Sequence, residues 1–87
     1  MAKALMYCTA ACPFCQAAER LLAGKGVPID KVRVDLEPAR RAEMVEKSGG
    51  RRTVPQIWIG ERYVGGCDEL YALERAGGLE PLLKATT

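Results

Sequence analysis

Histidine is absent from the sequence. That one absence removes Cys-His and Ser-His-Asp catalysis together with every histidine-ligated metal site, so whatever activates a nucleophile here is backbone dipole, lysine or arginine. Long apolar runs are missing too. None approaches the ~20 residues of a membrane span, and the opening Met-Ala-Lys-Ala-Leu lacks the apolar segment and cleavage site of a secretory signal, so the expectation is a cytoplasmic chain that does not meet the membrane. Net charge is slight, +2 from 13 basic and 11 acidic residues that are mostly interleaved. This argues against a nucleic-acid partner, although Arg40-Arg41 and Arg51-Arg52 are local basic pairs. Nor is there a Ser/Gly-rich or Pro-rich linker, so the 87 residues are expected to form one domain, 1–87, around one core. At this length roughly two thirds of the unfolded surface can be buried, which makes disulfide staples unnecessary.

Cysteine, by contrast, is concentrated. Of four cysteines, at 8, 12, 15 and 67, three fall within eight residues. In a reducing cytosol such clusters are more often catalytic or metal-binding than structural. Cys12-Pro13-Phe14-Cys15 follows the strand-like run Leu5-Met6-Tyr7 and precedes a helical pattern, so both thiols lie on one side of a first helical turn. One can attack a disulfide and the other can reach the resulting mixed disulfide. Cys12 falls at or just before the helix N-terminus, where unpaired N–H groups and the positive end of the helix dipole favour a thiolate. Cys15, one turn further in, is expected to be buried, protonated and the resolving thiol. Pro13 lacks an N–H only where the helix has no use for one. Phe14 should form an exposed apolar rim beside the sulfur. Half a zinc knuckle is the competing interpretation, but zinc usually needs a second close pair and Cys67 stands alone.

The rest of the pattern supplies the frame. Lys3 to Tyr7 reads as a short buried strand. Pro13 opens a helix with the apolar stripe Ala17, Ala18, Leu21 and Leu22, ended by Gly24 and Gly26. Residues 31–36 alternate with period two and are expected to form a strand. A second helix starts at Pro38, turns Ala42 and Val45 inward and closes at Gly49-Gly50. Pro55 to Ile59, the turn Gly60-Glu61 and Arg62 to Val64 read as an antiparallel hairpin. From Cys67 a helix places Leu70, Leu73 and Ala76 on one face, and a short amphipathic tail carries Leu79, Leu82 and Leu83. The order β-α-β-α-β-β-α, with a possible extra helix, implies a parallel βαβ unit extended by a hairpin. The expected fold class is therefore α/β, a mixed four-stranded sheet flanked by helices in the thioredoxin-like arrangement.

Three motifs in register, Cys-Pro-Phe-Cys, Thr53-Val54-Pro55-Gln56-Ile57 and Gly65-Gly66-Cys67-Asp68-Glu69-Leu70, make the chain resemble the small bacterial dithiol glutaredoxins over essentially its whole length. The resemblance implies a thiol–disulfide oxidoreductase that uses glutathione as co-substrate, with no tightly bound cofactor, on disulfide or glutathionylated protein substrates. It implies that Pro55 is cis and faces the C-x-x-C, with Thr53 beside it and the main chain of Val54 pairing with the cysteinyl part of glutathione, a minimal β-augmentation. Backbone N–H groups at Gly66 and Cys67 would hold the γ-glutamyl carboxylate, Asp68 would meet the ammonium group, and the glycines would admit the ligand. Phe14 and Arg52 complete the expected glutathione contacts. Arg51 and Arg52 are equally plausible partners for the glycine carboxylate or plain solvated charges. Cys8 reads as a buried small apolar residue and Trp58 as sheet packing. A monomer is expected. Two rival functions stay open: an iron–sulfur carrier, with Cys12 from two protomers and two glutathione thiolates as ligands, and a thioredoxin-like donor reduced by a flavoprotein. Phe14 and Thr9 depart from the tyrosine and the basic residue that many relatives carry at those places, so Cys12 leans more on its helix end.

Overall fold

The computed structural model describes residues 2–85; of the expected domain 1–87, residues 1, 86 and 87 lie outside the described residues. The elements are β1 (Ala4–Cys8), α1 (Pro13–Gly24), β2 (Ile29–Arg33), α2 (Pro38–Lys47), β3 (Gln56–Ile59), β4 (Arg62–Gly65), α3 (Cys67–Arg75) and α4 (Leu79–Ala85). The sheet order is β2-β1-β3-β4. β1 runs parallel to β2 and antiparallel to β3, which pairs antiparallel with β4. A parallel pair needs a crossover, and α1 supplies it. The expected α/β architecture is the one observed.

Alternation along the central strands sorts the core into two halves. Ala4, Met6 and Cys8 of β1 and Ile57 and Ile59 of β3 point to the face covered by α1, α3 and α4, through Ala18, Leu22, Leu70, Leu79 and Leu83. Tyr7 and Trp58 point to the other, where they meet Val32, Val34 and Met44. Among the described residues, that second face carries α2 alone. Met44 is its fully buried residue, the Tyr7 hydroxyl donates to the Glu43 carboxylate, and Lys47 Nζ lies 4.7 Å from the Trp58 ring centre.

Three expected segments differ. The strand expected over 31–36 occupies 29–33, because β1 ends at Cys8, opposite Arg33, and leaves no partner beyond it. One last bond, from Val34 N–H to the Cys8 carbonyl at 3.0 Å, precedes a turn closed on the Arg33 carbonyl by Leu36 and Glu37. The alternation therefore runs past the strand: Val34 is buried, but Leu36 is 68% exposed. In α2 the helix is rotated so that Met44 enters the core, leaving Val45 half-buried and Ala42 exposed. In α3, likewise, Cys67 and Leu70 are buried, whereas Ala76 is an exposed cap beyond the last turn.

The helices around the first face are tied at their ends. Lys25, which caps α1, contacts Glu74 of α3 and Glu80 of α4, both at 2.8 Å. Ala2 N–H donates to the Leu83 carbonyl at 3.0 Å, fastening α4 to the entry of β1.

Candidate active site

The loop between β1 and α1 is braced from β2. Arg33 donates twice to Asp35, at 2.8 and 2.6 Å, and Asp35 accepts the Ala10 N–H at 3.4 Å. The guanidinium holds the Asp35 carboxyl down to about 2. From this loop the chain enters Cys12, the N-cap of α1, in extended backbone conformation with Pro13 as the first helical residue. Its sulfur accepts the Cys15 N–H at 3.3 Å, the role a serine or aspartate oxygen plays at most helix starts. The expected thiolate position is thus a capping position, with a helix amide aimed at the sulfur. Cys12 is 9% exposed and Cys15 4%. Burial pushes the Cys15 thiol up to about 12, with the hydrogen bond to Cys12 adding to it.

Facing the thiol is the segment before β3. The Val54–Pro55 peptide is cis, and the Val54 carbonyl oxygen lies 3.8 Å from the Cys12 sulfur. Fully buried Gln56 fixes this segment: its amide donates to the Thr53 carbonyl at 2.9 Å and it accepts from the Tyr63 hydroxyl. The start of α3 forms the remaining wall. Gly66 is its N-cap, and the Gly66 N–H donates to Glu69 Oε1 at 2.7 Å. Arg51 Nη1 donates to the same oxygen at 2.9 Å and to the Tyr63 hydroxyl at 3.3 Å.

These walls enclose an open cavity of about 230 Å³, lined by Phe14, residues 53–55 and residues 66–68, with Arg51 and Glu69. Phe14 stands 62% exposed at its edge. Of the residues expected to meet a ligand, Phe14, Thr53, Val54, Pro55, Gly66, Cys67 and Asp68 all border this space. Arg52 does not. It borders a separate depression with Arg41 and Val45, and its carbonyl accepts from Arg41 Nη1 at 3.0 Å. The neighbouring Arg51 reaches the cavity instead. Glu69 stands in the third sequence motif but is given no role there, though an acid three residues after a helix cap is the signal that could have assigned one. Cys8 is buried behind α1, where it lines a second cavity with Cys15, and burial raises its thiol. The Cys67 thiol is raised as well, by burial and then by the neighbouring Asp68.

The glutaredoxin family profile matches residues 4–64. A glutaredoxin of Pseudomonas aeruginosa is 53% identical over 85 residues, 98% of this chain and 100% of that protein. The chain belongs to the glutaredoxin family. Glutaredoxin 3 of Escherichia coli is 49% identical over 84 residues, 97% of this chain and all of the relative. Among solved structures, the glutaredoxin from Brucella melitensis superposes with a TM-score of 0.85 at 47% identity, covering 100% of this chain and 94% of that one. A buckwheat glutaredoxin–glutathione complex superposes at 0.88 with 27% identity, covering 98% and 79%. As a glutaredoxin, the chain is a glutathione-dependent thiol–disulfide oxidoreductase with the thioredoxin-like fold. Among the described residues no helix is long and apolar enough to cross a membrane.

Proposed function

We propose that Cys12 is the attacking thiol and Cys15 the resolving thiol of this enzyme, with the cavity beside them as the glutathione seat. The Cys12 thiolate attacks the glutathionyl sulfur of a mixed disulfide. The substrate thiolate leaves, and a Cys12–glutathione disulfide remains. A second glutathione thiolate attacks that bond, releasing glutathione disulfide and restoring Cys12. With a protein disulfide, Cys12 forms a mixed disulfide to the protein and Cys15 attacks it. The protein leaves reduced, the Cys12–Cys15 disulfide takes its two electrons' worth of oxidation, and two glutathiones return the dithiol.

The observation that carries this assignment is the pair of sulfur environments. Cys12 caps its helix with its sulfur 3.8 Å from the carbonyl of Val54 on the cavity wall and the Cys15 amide on that sulfur, whereas burial pushes the Cys15 thiol up to about 12. A thiol held that strongly protonated is a poor first attacker and suits a second, intramolecular step. For the tripeptide, the main chain of Val54 is the partner of the cysteinyl unit, flanked by Thr53 and Pro55. Cys67 and Asp68 meet the γ-glutamyl end, the Gly66 N–H expected there being taken by Glu69 at 2.7 Å, and Phe14 covers the sulfur. Arg51 takes the glycine carboxylate in preference to Arg52, because Arg51 lines the cavity. The seat is for a co-substrate that comes and goes. We further infer a monomeric single domain acting in the cytosol on disulfide or glutathionylated proteins.

Serine variants test the division of labour. Cys12→Ser should abolish every activity, while Cys15→Ser should retain reduction of a glutathionylated peptide and lose reduction of protein disulfides. Equal losses in the two variants on the glutathionylated peptide would overturn the roles.

A further inference from the structure

One end of the cavity already holds a carboxylate, and it belongs to the chain. Glu69 folds back over the start of α3, so that one oxygen takes both the Gly66 N–H at 2.7 Å and the Arg51 guanidinium at 2.9 Å. Two glycines make room for it. A Cβ on Gly65 would lie 2.6 Å from that oxygen and 3.0 Å from Glu69 Cβ, and one on Gly66 would lie 3.4 Å from the oxygen and 3.2 Å from the Pro55 carbonyl. The glycine pair, which on the sequence opens space for a ligand, opens space that this side chain fills. An amide at a helix start and a guanidinium are the two groups a peptide carboxylate would seek.

We propose that Glu69 is an internal competitor for a carboxylate of glutathione: it occupies Arg51 and the Gly66 amide in the free enzyme and yields Arg51 when the tripeptide binds. The proposal rests on reading this cavity as the glutathione seat. Its energetics suit an exchange. The Arg51 and Glu69 side chains are 42% and 44% exposed, and ion pairs that wet are worth only about 0.2–1 kcal/mol. A ligand carboxylate can displace such a contact, yet must give up part of its own binding free energy to do so. The same hydrogen bond from Gly66 also caps α3, and a cap alone would affect stability and leave glutathione recognition untouched.

The test separates the two roles. Glu69→Gln keeps an acceptor for the Gly66 N–H but removes the charge that engages Arg51. Steady-state kinetics with a glutathionylated peptide at low ionic strength should show KM falling about two- to fivefold, with the effect on KM rather than kcat. Arg51→Ala should raise KM. In the Arg51→Ala background Glu69→Gln should no longer lower it, because the contested group is gone. Glu69→Asp, too short to reach both partners, should also lower KM and provides a second route if the glutamine variant unfolds. An unchanged or raised KM in Glu69→Gln, or the same fall with and without Arg51, overturns the competition. Asp68→Asn distinguishes the failures. If it raises KM while Glu69→Gln does nothing, only the competition fails; if neither it nor Arg51→Ala moves KM, the cavity is not the glutathione seat and both readings fall.

Discussion

Asp35 shows how a single side chain outside the C-x-x-C steadies the reactive loop. It links β2 to Ala10, two residues before Cys12, and its carboxyl is held at about 2 against an ordinary 3.8 by Arg33. A carboxyl whose folded value lies below its unfolded value contributes stability that is complete above the unfolded value and is lost as pH falls through the folded one. Asp35 therefore contributes fully above about 3.8, and the contribution disappears as pH drops toward about 2. Asp35→Asn should flatten the fall in stability across that window, read from acid unfolding by circular dichroism, and leave the slope above pH 5 unchanged. The adjacent arginines mark the limit of sequence reading at this scale. Arg51 and Arg52 have the same chemistry, and a one-dimensional pattern cannot say which of two consecutive loop residues turns toward a cavity. In the structure Ser48 pins the Arg51 main chain, its hydroxyl donating to the Arg51 carbonyl and accepting the Arg51 N–H, both at 3.1 Å, and Glu69 and Tyr63 hold the Arg51 guanidinium on the cavity side.

At the scale of elements, the strands and helices were legible because each carries its own periodicity and its own breaker. Pro13 and Pro38 sit at the helix starts they announce, and Gly60 turns the hairpin where expected. What stayed illegible depends on partners. The end of β2 is set by where β1 stops, and the rotation of α2 by the bulk of Tyr7 and Trp58 beneath it. α2 thus sends one fully buried side chain, Met44, into the core, while Glu43 and Lys47 contact Tyr7 and Trp58 beside it. Met44→Ala should cost about 2–5 kcal/mol in urea denaturation, while a change at exposed Ala42 to serine should stay within about 0.5 kcal/mol. A comparable loss at both positions would show that the helix is rotated otherwise.

Taken as a whole, the described chain packs on both faces of one sheet. Its radius of gyration, 12.1 Å, is close to the roughly 12 Å expected for a folded domain of this length. Both halves of the core share β1 and β3, so neither can melt alone. Urea unfolding followed by Trp58 fluorescence, which reports the α2 face, and by far-ultraviolet circular dichroism, which reports helices on both faces, should give coincident transitions. Separate midpoints would reveal independent halves. The same partition reaches further. All four cysteines belong to the half built on α1, α3 and α4, whereas Trp58 is wedged between Tyr7 and Tyr63 on the reverse side, with ring centres 5.5 and 4.8 Å away. The chain's lone indole is therefore a silent witness to its electron traffic: emission from the oxidised and reduced enzyme should nearly superimpose, and following turnover by light will require a chromophore attached on the sulfur-bearing side.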